Sequence, residues 1–567
     1  MTFSLSFLVG LLDGIGLALF IPLLEMVANP EKASGEGFIN EFVLETLAVP
    51  PTIFNILLLI FVFFSLKGIV KFVEGYLGVL YRQYFMRQIR ISNIDLLNQY
   101  SFLHFAKTDA GKIQNTFSGE VGRVNSAFKY YFKAFQYGVL VLVYLVMAFA
   151  ADIRFTLMVA LGGWATNFLF KFLYKRTKYF SAKYTSQSHK FQGLLIQMVT
   201  HFKYLKTTGS NFLYSKKLKG NIYDLEKTQR RLGIVESLLN SLREPLIILV
   251  VIAAIYIQVV FFGQDIGTVL FSLLLLYRAL TFLMAMQEHK NFFLGVSGSL
   301  DNLEKFTSEL KAGKEKNGVQ EYSGFSESLT FRDLRFRYGE INILKNINLD
   351  ILKNETLAII GESGSGKSTL LSIASGLLDP SEGEFKIDDR SLQEFDLNSY
   401  KKKVGYISQE PAIFNDNIYN NVTFWAEKTS ENHQRFLTAI KKAAIYDFVM
   451  QLSEKEDTYL GNNGINLSGG QKQRLSIARE LYKEVDILLM DEATSALDSE
   501  TEAIVQENVH KLKGEFTVIV IAHRLATIKD ADRIVILNEG QIEAEGTYRE
   551  LLENSSHFKE MIKLQNL

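Results

Sequence analysis

The residues best suited to phosphate chemistry form one segment, Gly361-Glu362-Ser363-Gly364-Ser365-Gly366-Lys367-Ser368. Its spacing is that of a P-loop, in which glycines let backbone N–H groups wrap phosphates and the following helix adds its positive end. Lys367 can reach the β- and γ-phosphates, and the Ser368 hydroxyl can hold Mg²⁺. An apolar strand is predicted before the loop at 356–360, and Thr369 continues into a predicted helix. This context predicts that residues 361–369 bind ATP.

A second apolar run, at 487–490, leads directly into Asp491 and Glu492. One interpretation is a strand that simply emerges into a turn. A carboxylate at the end of a buried strand is costly unless a cation pairs with it, however, and a P-loop is present. We therefore expect Asp491 to help place Mg²⁺ and Glu492 to orient or deprotonate the attacking water.

Between these strands, residues 467–474 contain Ser468, Gly469, Gly470 and Gln471 at the start of a predicted helix. Alone, such a segment would be a flexible turn or a helix cap. Together with the other two motifs, it resembles the signature motif of the nucleotide-binding domain of ABC transporters. The resemblance covers about residues 328 to 565.

This resemblance implies further roles. Tyr338 matches the aromatic residue that stacks on adenine, and Gln409 matches the glutamine that senses Mg²⁺ and contacts the membrane domain. Residues 495–498 match the D-loop, and His523 matches the switch histidine at the γ-phosphate. The alternatives are a core aromatic for Tyr338 and a structural histidine for His523. One departure stands at 461–464, Gly-Asn-Asn-Gly, where exporters of the family usually carry a glutamate.

In the family, the signature faces the P-loop of the opposite nucleotide domain. The sequence has one of each, so neither site is complete within one copy, and we expect a dimer with a second copy or a close paralogue. Because Glu492 and His523 are both present, a homodimer would have two competent sites. Two ATP–Mg²⁺ units would join the domains, and hydrolysis with phosphate release would let them part, giving alternating access.

The bulk composition is compatible with a chain that is half membrane protein. The 567 residues are 48% hydrophobic, and a formal net charge of +0 argues against a nucleic-acid partner. The absence of cysteine excludes disulfides, iron–sulfur clusters and cysteine nucleophiles.

Long apolar runs in the first 300 residues predict six membrane helices, since about 20 apolar residues cross the hydrocarbon core. They lie near residues 3–28, 53–82, 130–151, 154–174, 245–263 and 267–297. The first residues lack the basic start of a signal peptide and are predicted to form the first helix. The long segments 83–129 and 175–243 are rich in Lys and Arg, which places them in the cytoplasm. Their tips, near 105–113 and 207–217, would couple to the ATPase domains.

The predicted architecture is therefore an all-α transmembrane domain of the ABC exporter type, followed by an α/β P-loop ATPase with helical and antiparallel β subdomains. We place the membrane domain at 1–310, a polar linker at 311–328 and the nucleotide-binding domain at 329–567. The expected location is the inner (plasma) membrane of a bacterium, with the ATPase domain in the cytoplasm.

Ionisable residues inside spans cost roughly 2.5–3.5 kcal/mol at the bilayer centre, so they are candidates for function. Lys67, Lys71 and Glu74 share a helical face, Arg243 begins the fifth span, and Arg278 lies in the sixth. Lys67, Lys71, Arg243 and Arg278 would form a basic cavity for an anionic substrate. The alternative is that the second-span residues pair internally and the arginines form structural pairs or reach the interface.

The membrane half also resembles the lipid-linked oligosaccharide flippases of bacterial protein glycosylation, with an outside loop carrying an amphipathic segment at 39–47. Those proteins carry arginines where Lys67, Arg243 and Arg278 stand. The resemblance implies a lipid-like substrate drawn from the membrane. Multidrug export and lipid A-type lipid export stay open, as does import.

Two other classes fit less well. A soluble ABC ATPase of DNA repair or translation would have the same ATP site but not six apolar runs with basic cytoplasmic segments. An ATP-regulated channel usually degrades one ATP site or adds a regulatory insert, and the sequence has neither feature.

Overall fold

A computed structural model describes residues 2–20, 23, 52–151, 153–262, 266–491, 514–522 and 528–565. The chain forms two compact units. One comprises Met1–Tyr100 and His104–Lys314, and the other comprises Ser101–Leu103 and Glu315–Leu567.

The described parts of the first 314 residues fold mainly into helices, because apolar segments in lipid must satisfy their backbone groups internally. The helices are α1 (Thr2–Ala18), α2 (Ile53–Asn98), α3 (Phe102–Lys107), α4 (Ala110–Asn115), α5 (Val121–Ala151), α6 (Ile153–Thr200), α7 (Phe202–Thr207), α8 (Asn211–Phe262), α9 (Ile266–Val296) and α10 (Gly298–Ala312). A π-helical turn, Thr116–Glu120, joins α4 to α5.

Three helical stretches in the described ranges are long and apolar enough to cross a membrane. They are Ile53–Asn98, Ala110–Ala150 and Asn211–Ile257, with mean hydropathies of 2.5, 1.8 and 2.0, and a shorter apolar helix spans Ser4–Ala18. Phe54, Phe61 and Phe72 on α2 are 73%, 69% and 72% exposed, as expected for side chains that face lipid. The described parts of all six predicted spans lie almost entirely in helices.

Three of these helices are much longer than a bilayer. Helices α2, α6 and α8 contain 46, 48 and 52 residues. At 1.5 Å per residue they extend for about 69, 72 and 78 Å, against a hydrocarbon core of about 30 Å. They therefore continue outside the membrane, and the chain reverses through α3 and α4 and again after α7, close to the predicted tips.

The second unit contains two sheets. Its strands are β1 (Ser328–Tyr338), β2 (Ile341–Leu352), β3 (Thr356–Ile360), β4 (Glu382–Ile387), β5 (Arg390–Ser391), β6 (Val404–Ile407), β7 (Ile487–Asp491), β8 (Thr517–Ile521), β9 (Arg533–Asn538) and β10 (Gln541–Gly546). The larger sheet has the order β10-β9-β3-β8-β7-β6 and is parallel except for β10. The smaller sheet, β2-β1-β4-β5, is antiparallel.

The parallel strands are short and almost wholly apolar, and helices cover them, which is typical of a sheet buried on both faces. All five residues of β8 are buried, as are four of the five in both β3 and β7. The helices are α11 (Lys367–Ala374), α12 (Leu397–Lys402), α13 (Ile418–Thr423), α14 (Ser430–Lys442), α15 (Tyr446–Gln451), α16 (Gly469–Tyr482), α17 (Tyr548–Asn554) and α18 (Ser556–Gln565).

Part of the segment predicted as a linker lies against the ATPase unit. The N–H groups of Gly318 and Val319 donate to the carbonyl oxygens of Phe395 and Glu394 at 3.0 and 3.1 Å. Tyr322 is buried and packs edge-on against Phe395 at 5.9 Å. A Cβ on Gly318 would lie 2.2 Å from the backbone of Glu394, so this close approach requires glycine.

Candidate functional site

The P-loop connects β3 to α11 and depends on glycine at several positions. Gly361, Gly364 and Gly366 have φ values of 149°, 85° and 103°, which other residues rarely adopt. A Cβ on Gly361 would lie 2.1 Å from the carbonyl oxygen of Leu537, on the neighbouring strand β9. The loop therefore lies directly against the sheet at the carboxyl end of β3, where parallel sheets bind ligands.

Lys367 is buried at the first position of α11. Its Nζ donates to the carbonyl oxygens of Gly361 and Glu362 at 2.9 and 2.8 Å, so the loop encloses the ammonium group. The hydroxyl of Ser365 is buried and has no hydrogen-bond partner among the residues described. Such a group inside a loop of backbone N–H donors fits an anionic phosphate as its partner.

Ser368 and Asp491 meet although they are 123 positions apart in the chain. The Ser368 Oγ lies 3.5 Å from Oδ1 of Asp491, and the Tyr406 hydroxyl donates to Oδ2 at 3.4 Å. Burial, reinforced by the Asp491 charge, raises the pKa of Tyr406 to about 12, so the phenol keeps its proton at neutral pH. A hydroxyl and a carboxylate in this position fit Mg²⁺, which prefers oxygen ligands.

Gln409 is exposed, two residues beyond the end of β6. Strand β6 runs parallel to β7, which ends at Asp491, so both residues lie at the same edge of the sheet. The neighbouring residue is fixed: the Ser408 hydroxyl donates to the Glu410 carbonyl oxygen at 2.7 Å. Tyr338 ends β1, is 40% exposed, and packs edge-on against Phe336 at 4.8 Å. An exposed ring at that position can accept a flat base.

The signature segment forms the beginning of α16. Ser468 caps the helix by accepting from the N–H of Gln471 at 3.3 Å, and the Gln471 side chain accepts from the N–H of Ser468 at 2.8 Å. Gly469 and Gly470 occupy the first turn, without side chains above the helix end. This end carries a partial positive charge and can receive a phosphate.

Residues 461–464, which differ from the usual sequence of the family's exporters, form a tight turn with left-handed backbone. Gly461, Asn463 and Gly464 have φ values of 70°, 50° and 60°. The Nζ of Lys472, on α16, donates to the carbonyl oxygen of Asn463 at 2.6 Å. The turn is therefore tied to the signature helix without the carboxylate that is usual there. Glu492, His523 and the D-loop at 495–498 lie outside the described residues.

The predicted substrate cavity contains acidic partners that sequence reasoning missed. Lys67 forms an ion pair with Asp13, which is buried in α1 and accepts from the Tyr144 hydroxyl at 2.5 Å. Arg278 on α9 is half-buried and acts electrostatically on Tyr144. Lys67 was selected because it is an ionisable residue inside a predicted membrane span. Asp13 meets the same criterion, so the sequence could have indicated it as well.

The described side chains of Glu74 and Lys71 have other surroundings. Glu74, on the same helical face as Lys67, accepts instead from Ser6 and from Gln136 Nε2, the latter at 2.9 Å. Lys71 is exposed in the single chain. Arg243 belongs to α8, and its side chain lies outside the description.

The long apolar helices of the first unit and the P-loop of the second define a membrane-bound P-loop ATPase. Residues 344–495 match the family "ABC transporter", and residues 9–286 match "ABC transporter transmembrane region". The chain belongs to the ABC transporter family.

Relatives with known names support this assignment along the whole chain. The heterocyst differentiation ATP-binding protein HepA of Nostoc is 28% identical over 557 residues, 97% of this chain and 90% of HepA. The ATP-dependent lipid A-core flippase of Pasteurella multocida is 31% identical over 407 residues, 70% of this chain and 69% of the flippase. That of Alkalilimnicola ehrlichii is 42% identical over 239 residues but aligns over only 40% of its own length.

Among solved structures, a bacterial Atm1-family ABC exporter with ATP bound superposes with a TM-score of 0.86. The match covers 100% of this chain and 98% of the exporter at 22% identity, so it establishes the fold. The prediction of an exporter-type half-transporter that binds and hydrolyses ATP at a membrane is therefore confirmed.

Proposed function

We propose that this chain exports or flips an anionic, amphipathic lipid as a dimer, using the energy of ATP hydrolysis. The observation that carries this proposal is the 31% identity between this chain and the lipid A-core flippase of Pasteurella multocida over 407 residues, which include part of the membrane domain. A lipid-linked oligosaccharide is the first candidate substrate, from the basic residues of the predicted cavity. A lipid A-type lipid is the second, because the named relatives flip such a lipid.

In the proposed division of labour, residues 1–310 carry the substrate, 311–328 connect the domains and 329–567 consume ATP. Tyr338 would stack on adenine, and Gly361, Glu362, Ser363, Gly364, Ser365, Gly366 and Thr369 would surround the phosphates. The Lys367 ammonium, which now bonds two loop carbonyls, would also reach the β- and γ-phosphates.

Ser368, Gln409 and Asp491 would hold Mg²⁺, whose charge would offset that of the phosphates. Glu492 would orient the attacking water or accept its proton, and His523 would contact the γ-phosphate. Ser468, Gly469, Gly470 and Gln471 would bind the nucleotide held by the other copy. A second copy of this chain is the simplest partner, since it would supply two complete sites.

The predicted cavity requires a more specific interpretation because Lys67 has a carboxylate partner. An anion can bind beside this pair only where positive charge remains in excess, which Arg278, Lys71 and Arg243 would provide. We propose that Arg278 contributes most, because its charge acts on Tyr144, which donates a hydrogen bond to Asp13.

Transport into proteoliposomes tests the proposal. The full-length protein would be reconstituted, and ATP-dependent movement would be compared for a polyprenyl-pyrophosphate sugar, a lipid A-like lipid and a cationic drug. We expect ATP-dependent movement of either anionic lipid. Arg278→Ala should reduce this movement more than it reduces basal ATPase activity. Lys367→Ala provides the inactive control. Transport of the drug alone would contradict an anionic lipid substrate.

A further inference from the structure

A buried polar cluster lies where the π-helical turn Thr116–Glu120 joins α4 to α5. Asn115 directly precedes this turn and Glu120 ends it, and the two residues are 2% and 0% exposed. His189 of α6 contacts both of them, and its side chain is 20% exposed. All of these residues belong to the membrane unit, in the two segments whose basic residues predict a cytoplasmic position.

Hydrogen bonds fix the orientation of the Asn115 amide. Its Nδ2 donates to Oε1 of Glu120 at 3.3 Å and also lies 2.9 Å from Nδ1 of His189. A flipped amide would turn its oxygen toward the carboxylate, and two acceptors would then face each other. Nδ2 is therefore the donor in both contacts, and Nδ1 of His189 is the acceptor.

The same network determines where the imidazole of His189 carries its proton. A neutral ring whose Nδ1 accepts has its proton on Nε2, and Nε2 lies 3.3 Å from Oε1 of Glu120. The ring can thus accept from Asn115 and donate to Glu120 only in its neutral form. A second proton would be bound at Nδ1, opposite the N–H group of Asn115, and that hydrogen bond would be lost.

Burial has the largest effect on this ring and lowers the pKa of His189 below its ordinary value of 6.5. Two acidic side chains raise the pKa and two basic side chains lower it. They are Glu120 on the turn, Asp109 before α4, Lys112 on α4 and Arg123 on α5. From α10, Asn302 places a neutral amide 3.3 Å from Nε2. The contacts of the neutral ring are therefore complete above pH 6.5 and are lost as the pH falls through the lowered pKa.

The cluster also connects the turn to the end of the membrane unit. Arg123 donates from Nη2 to Oε1 of Glu120 at 2.6 Å and from Nε to the Ser299 hydroxyl at 2.8 Å. Ser299 and Asn302 belong to α10, the last helix before the chain enters the ATPase unit. Oε2 of Glu120 is buried and has no hydrogen-bond partner among the described residues, which lowers the cost of rearranging the cluster.

We propose that His189 is a pH-sensitive switch: its neutral ring holds the turn between α4 and α5 against α6, and a second proton releases the turn. Because α4 lies in a segment predicted to couple to the ATPase domains, release should also slow ATP hydrolysis. The switch adds regulation to the proposed transport cycle and does not depend on which lipid is carried. The turn can be observed without transport, so either proposal can fail while the other stands.

Hydrogen exchange of the full-length protein in detergent, followed by mass spectrometry, reports on the turn directly. Peptides covering residues 112–124 are compared at neutral pH and at about pH 5, after correction for the chemical exchange rate at each pH. In the wild type, exchange there should be at least about threefold faster at the lower pH, because the released turn opens more often. His189→Gln should show no such difference, since its amide can accept from Asn115 and donate to Glu120 at either pH.

Two further variants sharpen the test. His201→Gln is the matched control, because His201 is exposed and precedes α7 in the same cytoplasmic region, and it should behave like the wild type. Asn115→Asp should shift the midpoint of the pH dependence upward, since a carboxylate accepts from the protonated ring. Thermal unfolding at neutral pH checks that each variant is folded, and Asn115→Asp carries the test if His189→Gln is not.

ATPase activity of the same proteins measures the effect on turnover. Between neutral pH and about pH 5, the wild type should lose at least about twofold more activity than His189→Gln. An equal loss in both would show that the turn does not govern ATP hydrolysis. Exchange in the turn that is independent of pH in the wild type, or that accelerates equally in His189→Gln, would overturn the switch itself. So would a midpoint that Asn115→Asp leaves unchanged or lowers.

Discussion

The nucleotide site is formed mainly by one contiguous segment, whereas the polar group of Asp13, Lys67 and Tyr144 in the membrane unit is formed by residues far apart in the sequence. In the ATPase unit, residues 361–368 are contiguous, and backbone geometry at three glycines determines where Lys367 lies. In the membrane unit, Asp13, Lys67 and Tyr144 come from three different helices. A contiguous motif specifies its own geometry, whereas a group assembled across helices depends on packing that no single segment reveals.

The largest expected effect lies at the site that local sequence defines. Glu492→Gln should lower ATP hydrolysis by about 10²–10⁴-fold, the usual contribution of a general base, while ATP binding persists because the P-loop is unchanged. Phosphate release and binding of a fluorescent ATP analogue measure the two properties. Rapid hydrolysis by the Gln variant would remove Glu492 from its assigned role.

The next effect tests the ion pair between helices. Asp13→Leu should destabilise the protein by about 3–5 kcal/mol, because it leaves the Lys67 ammonium without its partner in an apolar region. Asp13→Leu with Lys67→Leu should recover most of this loss. Thermal unfolding in detergent of the wild type, both single variants and the double variant measures the coupling. If the double variant is as unstable as the sum of the singles, the pair contributes nothing of its own.

Much of the fold was open to prediction because its signals are local. Six apolar runs, a strand before the P-loop and a helix after it can each be recognised within a few residues. The partner of Lys67 could not be identified, since Asp13 lies 54 residues away and only helix packing brings them together. The docking of residues 318–320 was equally hidden, because backbone hydrogen bonds leave no pattern in side-chain composition.

A smaller effect separates backbone strain from steric overlap in the P-loop. Gly361→Ala should destabilise the ATPase unit by about 1–3 kcal/mol and weaken ATP binding, because its φ of 149° and the Leu537 carbonyl oxygen both oppose a Cβ. Gly364→Ala is the matched control: it has a φ of 85°, but nothing lies within 4 Å of the position that its Cβ would take. Denaturant unfolding should show a larger loss for the first variant. Equal losses would mean that backbone conformation alone requires glycine.

The smallest effect concerns Tyr406. Its hydrogen bond to Asp491 is long, at 3.4 Å. Tyr406→Phe should therefore raise the Mg²⁺ concentration for half-maximal ATPase activity only about twofold, the low end for one hydrogen bond.

Burial raises the pKa of Tyr406 from 10.0 to about 12, so the neutral phenol is favoured in the folded state. Its stabilising contribution is therefore complete below pH 10 and is lost only as the pH rises toward 12. The wild type and the Phe variant should consequently show the same dependence of ATPase activity on pH between about pH 7 and 9. If the activity of the wild type alone declined in this range, the pKa of Tyr406 would lie much lower. Its proton would then be directly coupled to the carboxylate at the end of β7.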